Sequence, residues 1–188
     1  NPEEMIKTNI LGAMNTVQAA RKAGVRKLMY ISSDKAFEAV SPYGQSKALG
    51  ESLVLASNNT RAIDGTIFTS CRYGNIMGST GSVIPLWREL KAKGEYINVT
   101  DPDCTRFAMM RGQACGLILK GIEVMRGGEL FIPQLPAFDL RTLLEAMEIE
   151  NYNTLGLPPW EKKHESMGPG NSSDKAERLT VAQVKQLL

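Results

Sequence analysis

Apolar positions along this chain fall into two periods that take turns. Over residues 1–23, Met5, Ile6, Ile10, Leu11, Met14 and Val17 recur near helical spacing, which predicts an amphipathic helix with Pro2 in its first turn and Gly24 at its end. The run Lys27–Ile31 is short, apolar and strand-like. A second helix is expected from Pro42 to about Ala56, with Ser41 as N-cap and Pro42 at its first position. Residues 66–72 read as another strand. Helix, strand, helix, strand at these lengths predicts a parallel sheet with crossover helices.

Further on, a Gly/Ser loop leads into a helix over about 82–93, and residues 96–100 read as a short strand. Residues 111–125 are helical by pattern, with Ala114, Leu117, Ile118 and Ile122 on one side, and Gly127-Gly128 ends that helix. A strand over 129–132 follows, then a helix capped by Asp139 and running to about Met147. Residues 151–171 are rich in Asn, Gly and Pro and read as loop; the polar remainder carries a late apolar pattern, with a terminal helix from near Thr180. The expected organisation is a Rossmann-like part over 1–75, a small lobe over 76–170 with an interleaved strand and helix at about 128–147, and a polar tail over 171–188.

At 188 residues with 43% hydrophobic content, the chain can build one core with a small lobe. A net charge of +2 without a dense basic stripe gives no ground for a nucleic-acid or membrane partner. Cys71, Cys104 and Cys115 lack zinc-site spacing, and their odd number cannot close entirely into disulfides, so a reducing cytoplasm is expected. No signal-peptide pattern is visible, and no apolar run approaches the roughly 20 residues of a membrane span. A chain that opens on a helix lacks a preceding strand to pack it against, which reads as truncation.

Candidate chemistry concentrates in residues 31–51, ISSDKAFEAVSPYGQSKALGE. Ser33, Asp34 and Lys35 follow a strand, where ligands collect in open α/β sheets. They suit a hydroxyl donor, a general acid and a general base; they equally suit an ordinary polar turn. Tyr43 and Lys47 stand four residues apart on a helix and share a face. An ammonium beside a phenol stabilises the phenolate and brings it toward working range for acid–base chemistry; the plain alternative is an exposed helix with a half-buried Tyr.

The pattern SSDKAxxxxxPYGxSKxxxE resembles the active-site segment of the extended short-chain dehydrogenase/reductases. More narrowly, it resembles the soluble, C5-inverting UDP-N-acetylhexosamine 4,6-dehydratases of the polysaccharide-biosynthesis family. NPEEMIKTNILGAMNTVQAARKAGV, CRYGNIMGSTGSVIPLWREL, DPDCTRF, MRGGELFIP and LPPWEKKHE agree in the same order. The resemblance implies that Tyr43 accepts the proton of a sugar hydroxyl, and that Lys47 holds the nicotinamide ribose and lowers the Tyr43 pKa. It further implies that Tyr73 lies at the cofactor, and that Ser33, Asp34 and Lys35 serve as hydroxyl donor, acid and base. The long membrane-bound dehydratases carry Met in place of this Tyr, so Tyr43 favours the soluble branch.

Asn75 and the loop 78–82, ending at Ser82, would face the nucleotide-sugar, as would Arg106 and Glu161. Each also has an ordinary reading, as a connecting loop or a surface residue. Thr80 stands where the family has Arg, Pro158 and Trp160 replace its Arg and Gly, and AMMRGQAC departs from its FWITxxEAV. His164, the single histidine, is expected to be structural.

The implied cofactor is NADP or NAD, and the implied substrate a UDP-sugar. The Gly-rich turn that seats the pyrophosphate in this family has no counterpart in the sequence. The chain alone is therefore expected to bind cofactor negligibly and to need an N-terminal half, supplied upstream or by a separate chain, with a homo-oligomer as the complete form. A nucleotide-sugar 4-epimerase on the same scaffold is the alternative activity, and a non-catalytic truncated subunit the alternative of another class.

Overall fold

A computed structural model describes all 188 residues, Asn1–Leu188. In chain order, α1 (Pro2–Met5), a π-helical stretch (Ile6–Leu11) and α2 (Gly12–Lys22) run together, followed by β1 (Lys27–Ile31), α3 (Pro42–Ala56) and β2 (Ile67–Cys71). Then come β3 (Asn75–Ile76), α4 (Val83–Lys93), β4 (Ile97–Val99), β5 (Thr105–Met109), α5 (Arg111–Val124), β6 (Leu130–Phe131) and β7 (Ala137–Asp139). The chain closes with α6 (Leu140–Ala146), β8 (Tyr152–Thr154), β9 (Ser166–Gly168), β10 (Asn171–Ser172) and α7 (Val181–Leu187). It divides into two compact units: Asn1–Tyr73 with Ala114–Pro133, and Gly74–Gln113 with Gln134–Leu188. The first unit is thus rejoined over Ala114–Pro133, where the sequence placed the interleaved segment at about 128–147.

The first unit is built on a parallel sheet of order β1-β2-β6, with helical crossovers of the Rossmann kind. Ala13, Val17 and Ala20 of the first helix are buried, and Ala13 and Val17 pack with Val54 of α3 and Phe68 of β2. The predicted apolar face is only partly used: Ile6, Leu11 and Met14 are 50%, 46% and 38% exposed. Ile6 and Leu11 belong to a π stretch, Ile6–Leu11, that departs from a 3.6-residue period, and Met14 stands just beyond it in α2. Gly24 ends the helix in the left-handed region at φ 65°, as its position predicts.

On α5 the predicted face fails at Ile122, which is 38% exposed, while Ala114 and Gly121 are buried. An ideal Cβ on Gly121 would stand 2.3 Å from Met29 Cε, so the helix approaches β1 through a position without a side chain. Lys27 Nζ donates to the carbonyls of Ile122 and Glu123 at 2.6 and 2.8 Å, placing a cation at the electronegative end of that helix.

The second unit holds three small sheets: β3-β5-β7, with β3 and β5 parallel and β7 antiparallel to β5; the parallel pair β4-β8; and the antiparallel pair β9-β10. Its core gathers Ile84, Trp87, Ile97, Val99, Cys104, Ala108, Phe138, Leu143, Leu144 and Val184. Asp139 caps α6 as predicted, its carboxylate accepting from the Thr142 N–H at 2.7 Å.

Residues 151–171 carry strands β8 and β9 and the start of β10 rather than loop alone. Residues 171–188 are no free polar tail. Ser173 and Val184 are fully buried, and a Thr180–Gln183 capping box starts α7 where the sequence placed a terminal helix. No helix is long and apolar enough to cross a membrane.

Candidate active site

β1 ends at Ile31 and delivers the chain into a single turn of 3₁₀ helix, Asp34–Ala36. Ser33 caps it in extended conformation, its Oγ accepting from the Lys35 N–H at 3.2 Å and donating to Asp34 Oδ1 at 2.9 Å. Lys35 Nζ reaches the same Asp34 Oδ1 at 3.2 Å. Asp34 is 2% exposed, and its other oxygen, Oδ2, has no hydrogen-bond partner. The three residues read as a hydroxyl, an acid and a base are therefore one bonded cluster, anchored by the Asp34 N–H donating to the Tyr73 carbonyl at 3.1 Å.

α3 packs directly on this turn. Ser41 caps it, accepting from the Gly44 N–H at 3.1 Å, and Pro42 fills the first helical position as predicted. Gly44 makes the close approach possible: an ideal Cβ there would lie 2.2 Å from the Lys35 carbonyl oxygen. Gly44→Ala is expected to lower stability by about 1–3 kcal/mol, the range for overpacking, because a rigid backbone atom must move. That exceeds the roughly 1 kcal/mol gained in helix propensity. Urea unfolding measures it, and an unchanged midpoint would show that the helix rests less tightly on the turn.

Tyr43 and Lys47 lie one turn apart on α3, Tyr43 39% exposed and Lys47 half-buried. Lys47 Nζ donates to the Ile31 carbonyl at 2.6 Å, which ties the helix to the end of β1. Burial pushes the Lys47 ammonium below the ordinary lysine value, while Cys71 and Glu51 pull it the other way. Tyr73 is raised by burial first and then by the charges of Cys71, Tyr43 and Cys115. The structure thus brings Ser33, Asp34, Lys35, Tyr43, Lys47 and Tyr73 together in the first unit.

Sequence reasoning missed the bed beneath these residues. Lys47 Nζ stands 4.5 Å from the centroid of the Tyr30 ring. Asn9, in the π stretch, donates to Ser46 Oγ at 2.9 Å and so fixes the first helix to α3. Glu51 is 4% exposed and bound by Arg72, Nε to Oε2 at 2.8 Å and a second nitrogen to Oε1 at 2.5 Å. A Tyr in an otherwise aliphatic strand and a Glu four residues after Lys47 were the available signals.

In the second unit, Asn75, Ser82, Arg106 and Glu161 line one cleft of about 360 Å³, with Asn98, Thr100 and Trp87. Asn75 Oδ1 and Ser82 Oγ are buried without hydrogen-bond partners. Ser82 precedes α4 and makes no capping bond, so its hydroxyl remains available at a helix N-terminus, where negative charge is favoured.

Arg106 and Glu161 are engaged with each other at 2.6 Å, and Arg106 also donates to the carbonyls of Thr105 and Lys163 at 2.8 and 3.1 Å. Arg106 is 7% exposed, so it is a clamp on the loop 161–163 rather than a surface residue. Thr80 and Trp160 are exposed. His164 shares a hydrogen bond with Thr105 Oγ1 at 2.9 Å, and Thr105 in turn with Ser173 at 2.6 Å.

The sequence pattern of a polysaccharide biosynthesis protein family matches residues 1–186. A UDP-N-acetylglucosamine 4,6-dehydratase (inverting) of Campylobacter jejuni is 38% identical over 169 residues, covering 89% of this chain and 51% of its own length. A UDP-glucose 4-epimerase of Rickettsia canadensis is 37% identical over 183 residues, covering 95% of this chain and 54% of its own. The chain therefore spans about half the length of these curated relatives. The solved structure of Pen from Bacillus thuringiensis superposes with a TM-score of 0.92 at 30% identity, over 100% of this chain and 68% of that one. Structures at 22% identity or less share the fold, and those of a dTDP-glucose 4,6-dehydratase and a UDP-glucose 4-epimerase carry NAD.

Proposed function

Since the chain belongs to this polysaccharide biosynthesis protein family, we propose that it supplies the acid–base machinery of a nicotinamide-dependent enzyme that oxidises carbon 4 of a UDP-sugar and returns it as the 4-epimer. The observation that carries this is the pair Tyr43 and Lys47, one helical turn apart, with Tyr43 open to solvent and Lys47 fastened to Ile31. NAD or NADP, when bound, supplies the hydride acceptor and donor.

Within the chain, the phenolic oxygen of Tyr43 takes the proton of the carbon-4 hydroxyl as the ketone forms, and gives it back on reduction from the other face. Lys47, one turn along the same face of α3, would hold positive charge toward it and orient a ribose. Tyr73, whose carbonyl accepts from the Asp34 N–H, would contact the cofactor. Asn75 and Ser82, with buried polar atoms unsatisfied in a cleft that also has apolar walls, suit the nucleotide. Arg106 orients Glu161, whose carboxylate remains partly exposed for a ribose or base contact.

Asp34 and Lys35 decide between epimerisation and dehydration. A 4,6-dehydration needs Asp34 protonated to release the carbon-6 hydroxyl and Lys35 neutral to remove the carbon-5 proton. Here the two are bonded to each other at 3.2 Å, a contact each would have to leave to act on carbon 6 or carbon 5. Epimerisation needs neither. The second reading, a 4,6-dehydratase that inverts carbon 5, is favoured by one observation: Asp34 Oδ2 is buried and unpartnered, a seat for a proton handed over within the pair.

The test uses the protein expressed from its whole reading frame, with UDP-glucose and UDP-N-acetylglucosamine, NAD and NADP, in heavy water. A 4-epimer without deuterium at carbon 5, in an enzyme whose Lys35→Met variant keeps its rate within a few-fold, supports the epimerase. A 4-keto-6-deoxy product with deuterium at inverted carbon 5, lost about 10²-fold or more in Lys35→Met, overturns it in favour of the dehydratase.

A further inference from the structure

Lys47 is an ammonium drawn into a half-buried place, and it lacks a carboxylate of its own. Glu51, one turn further along α3, is held by Arg72 through two bonds. One Lys47 N–H donates to the Ile31 carbonyl. On another side the ammonium faces the ring of Tyr30 at 4.5 Å, inside the distance at which an aromatic face attracts a cation.

The Tyr30 ring is itself fixed. An ideal Cβ on Gly50 would come within 2.5 Å of the Tyr30 hydroxyl, so the absence of a side chain at Gly50 opens the slot the ring occupies. The Tyr30 hydroxyl is buried with no hydrogen-bond partner, so this side chain is not kept for its O–H. What it offers its surroundings is the aromatic face, and the cation on that face is Lys47.

We propose that Tyr30 is a positioning residue for Lys47: its ring replaces the water lost on burial, so that the ammonium stays charged and aimed at the end of β1. The proposal bears on the reaction read above but does not depend on it, because it concerns the charge and place of Lys47 in the protein without cofactor or substrate. The titratable groups around Lys47 are Tyr30 from β1, Cys71 from β2, and Tyr43 and Glu51 from α3. Cys71 is pushed up to about 11 by burial and Tyr30 to about 12 by burial first, so both are neutral near pH 7 and neither supplies a fixed charge. Lys47 lies below the ordinary lysine value because it is buried. Removing the electron-rich face removes support for the charged form alone and must lower it further.

The experiment follows the Lys47 signal in protein labelled with [ε-13C]lysine, titrated with pH and assigned by its loss in Lys47→Arg. Tyr30→Phe keeps the ring and should leave the Lys47 midpoint within a few tenths of a unit. Replacing Tyr30 by trifluorophenylalanine keeps nearly the same shape but depletes the face, and should lower the midpoint by about one unit. Tyr30→Leu, where it folds, should lower it likewise, while a packing role alone would change stability and leave the Lys47 titration still. A trifluorophenylalanine variant that titrates like Tyr30→Phe overturns the proposal, whatever the enzyme's activity. A midpoint that moves in a protein showing no carbon-4 chemistry upholds it and sinks the reaction instead.

Discussion

Tyr43→Phe is expected to lower turnover by about 10²–10⁴-fold, the usual contribution of a positioned general acid or base, while nucleotide-sugar affinity changes little. The ring is 39% exposed at the start of α3, and the helix there is set by the Ser41 cap, Pro42 and the Gly44 contact, none of which involves the phenolic oxygen. The substitution therefore removes the oxygen proposed as proton acceptor and leaves its support standing. In single turnover, the appearance of reduced nicotinamide should slow by the same factor as steady-state turnover, since both readings of the reaction begin with that oxidation. A variant that oxidises carbon 4 at the parent rate would remove Tyr43 from the chemistry under either reading.

Glu51→Ala is expected to cost about 3–5 kcal/mol of stability, the range for removing one partner of a buried ion pair. Glu51 and Arg72 have side chains only 5% and 12% exposed. The Arg72 guanidinium also lies 5.5 Å from the centroid of the Phe37 ring. The loss reflects a charged group deprived of its carboxylate in a place where both groups have already given up water. Glu51→Ala with Arg72→Met should accordingly recover much of the loss, and urea unfolding of the two variants measures it. A single-variant loss below about 1 kcal/mol, the level of a surface pair, would mean that water reaches Arg72.

Much of the frame that carries the site was legible in the sequence because it is decided locally. The Ser41 cap and Pro42 start a helix, Gly24 ends one, and Asp139 and Thr180 each bind an N–H in the first turn beyond them. The spacing of Tyr43 and Lys47 put them on one face for the same reason. β1 and β2 were readable as apolar runs, and their parallel pairing followed from the helix between them.

Other features were decided only when distant segments met. β5 is buried along its whole length, so it shows no alternation and was not recognised as a strand, and the two- and three-residue strands are too short to carry a period. Nothing near Arg106 indicates that its partner is Glu161, 55 residues away. Ile6, Leu11 and Met14 lie outside the buried face that their spacing assigned them, and the first two fall in a π stretch no sequence period announces. The sequence by itself determined that Tyr43 and Lys47 would share one face of a helix after a strand, because caps and periodicity act over a few residues. Only the tertiary structure decided that the Lys35 ammonium nitrogen meets Asp34 Oδ1 at 3.2 Å in a buried turn and that Lys47 rests on Tyr30. Protonation and orientation depend on burial and on partners brought together by packing.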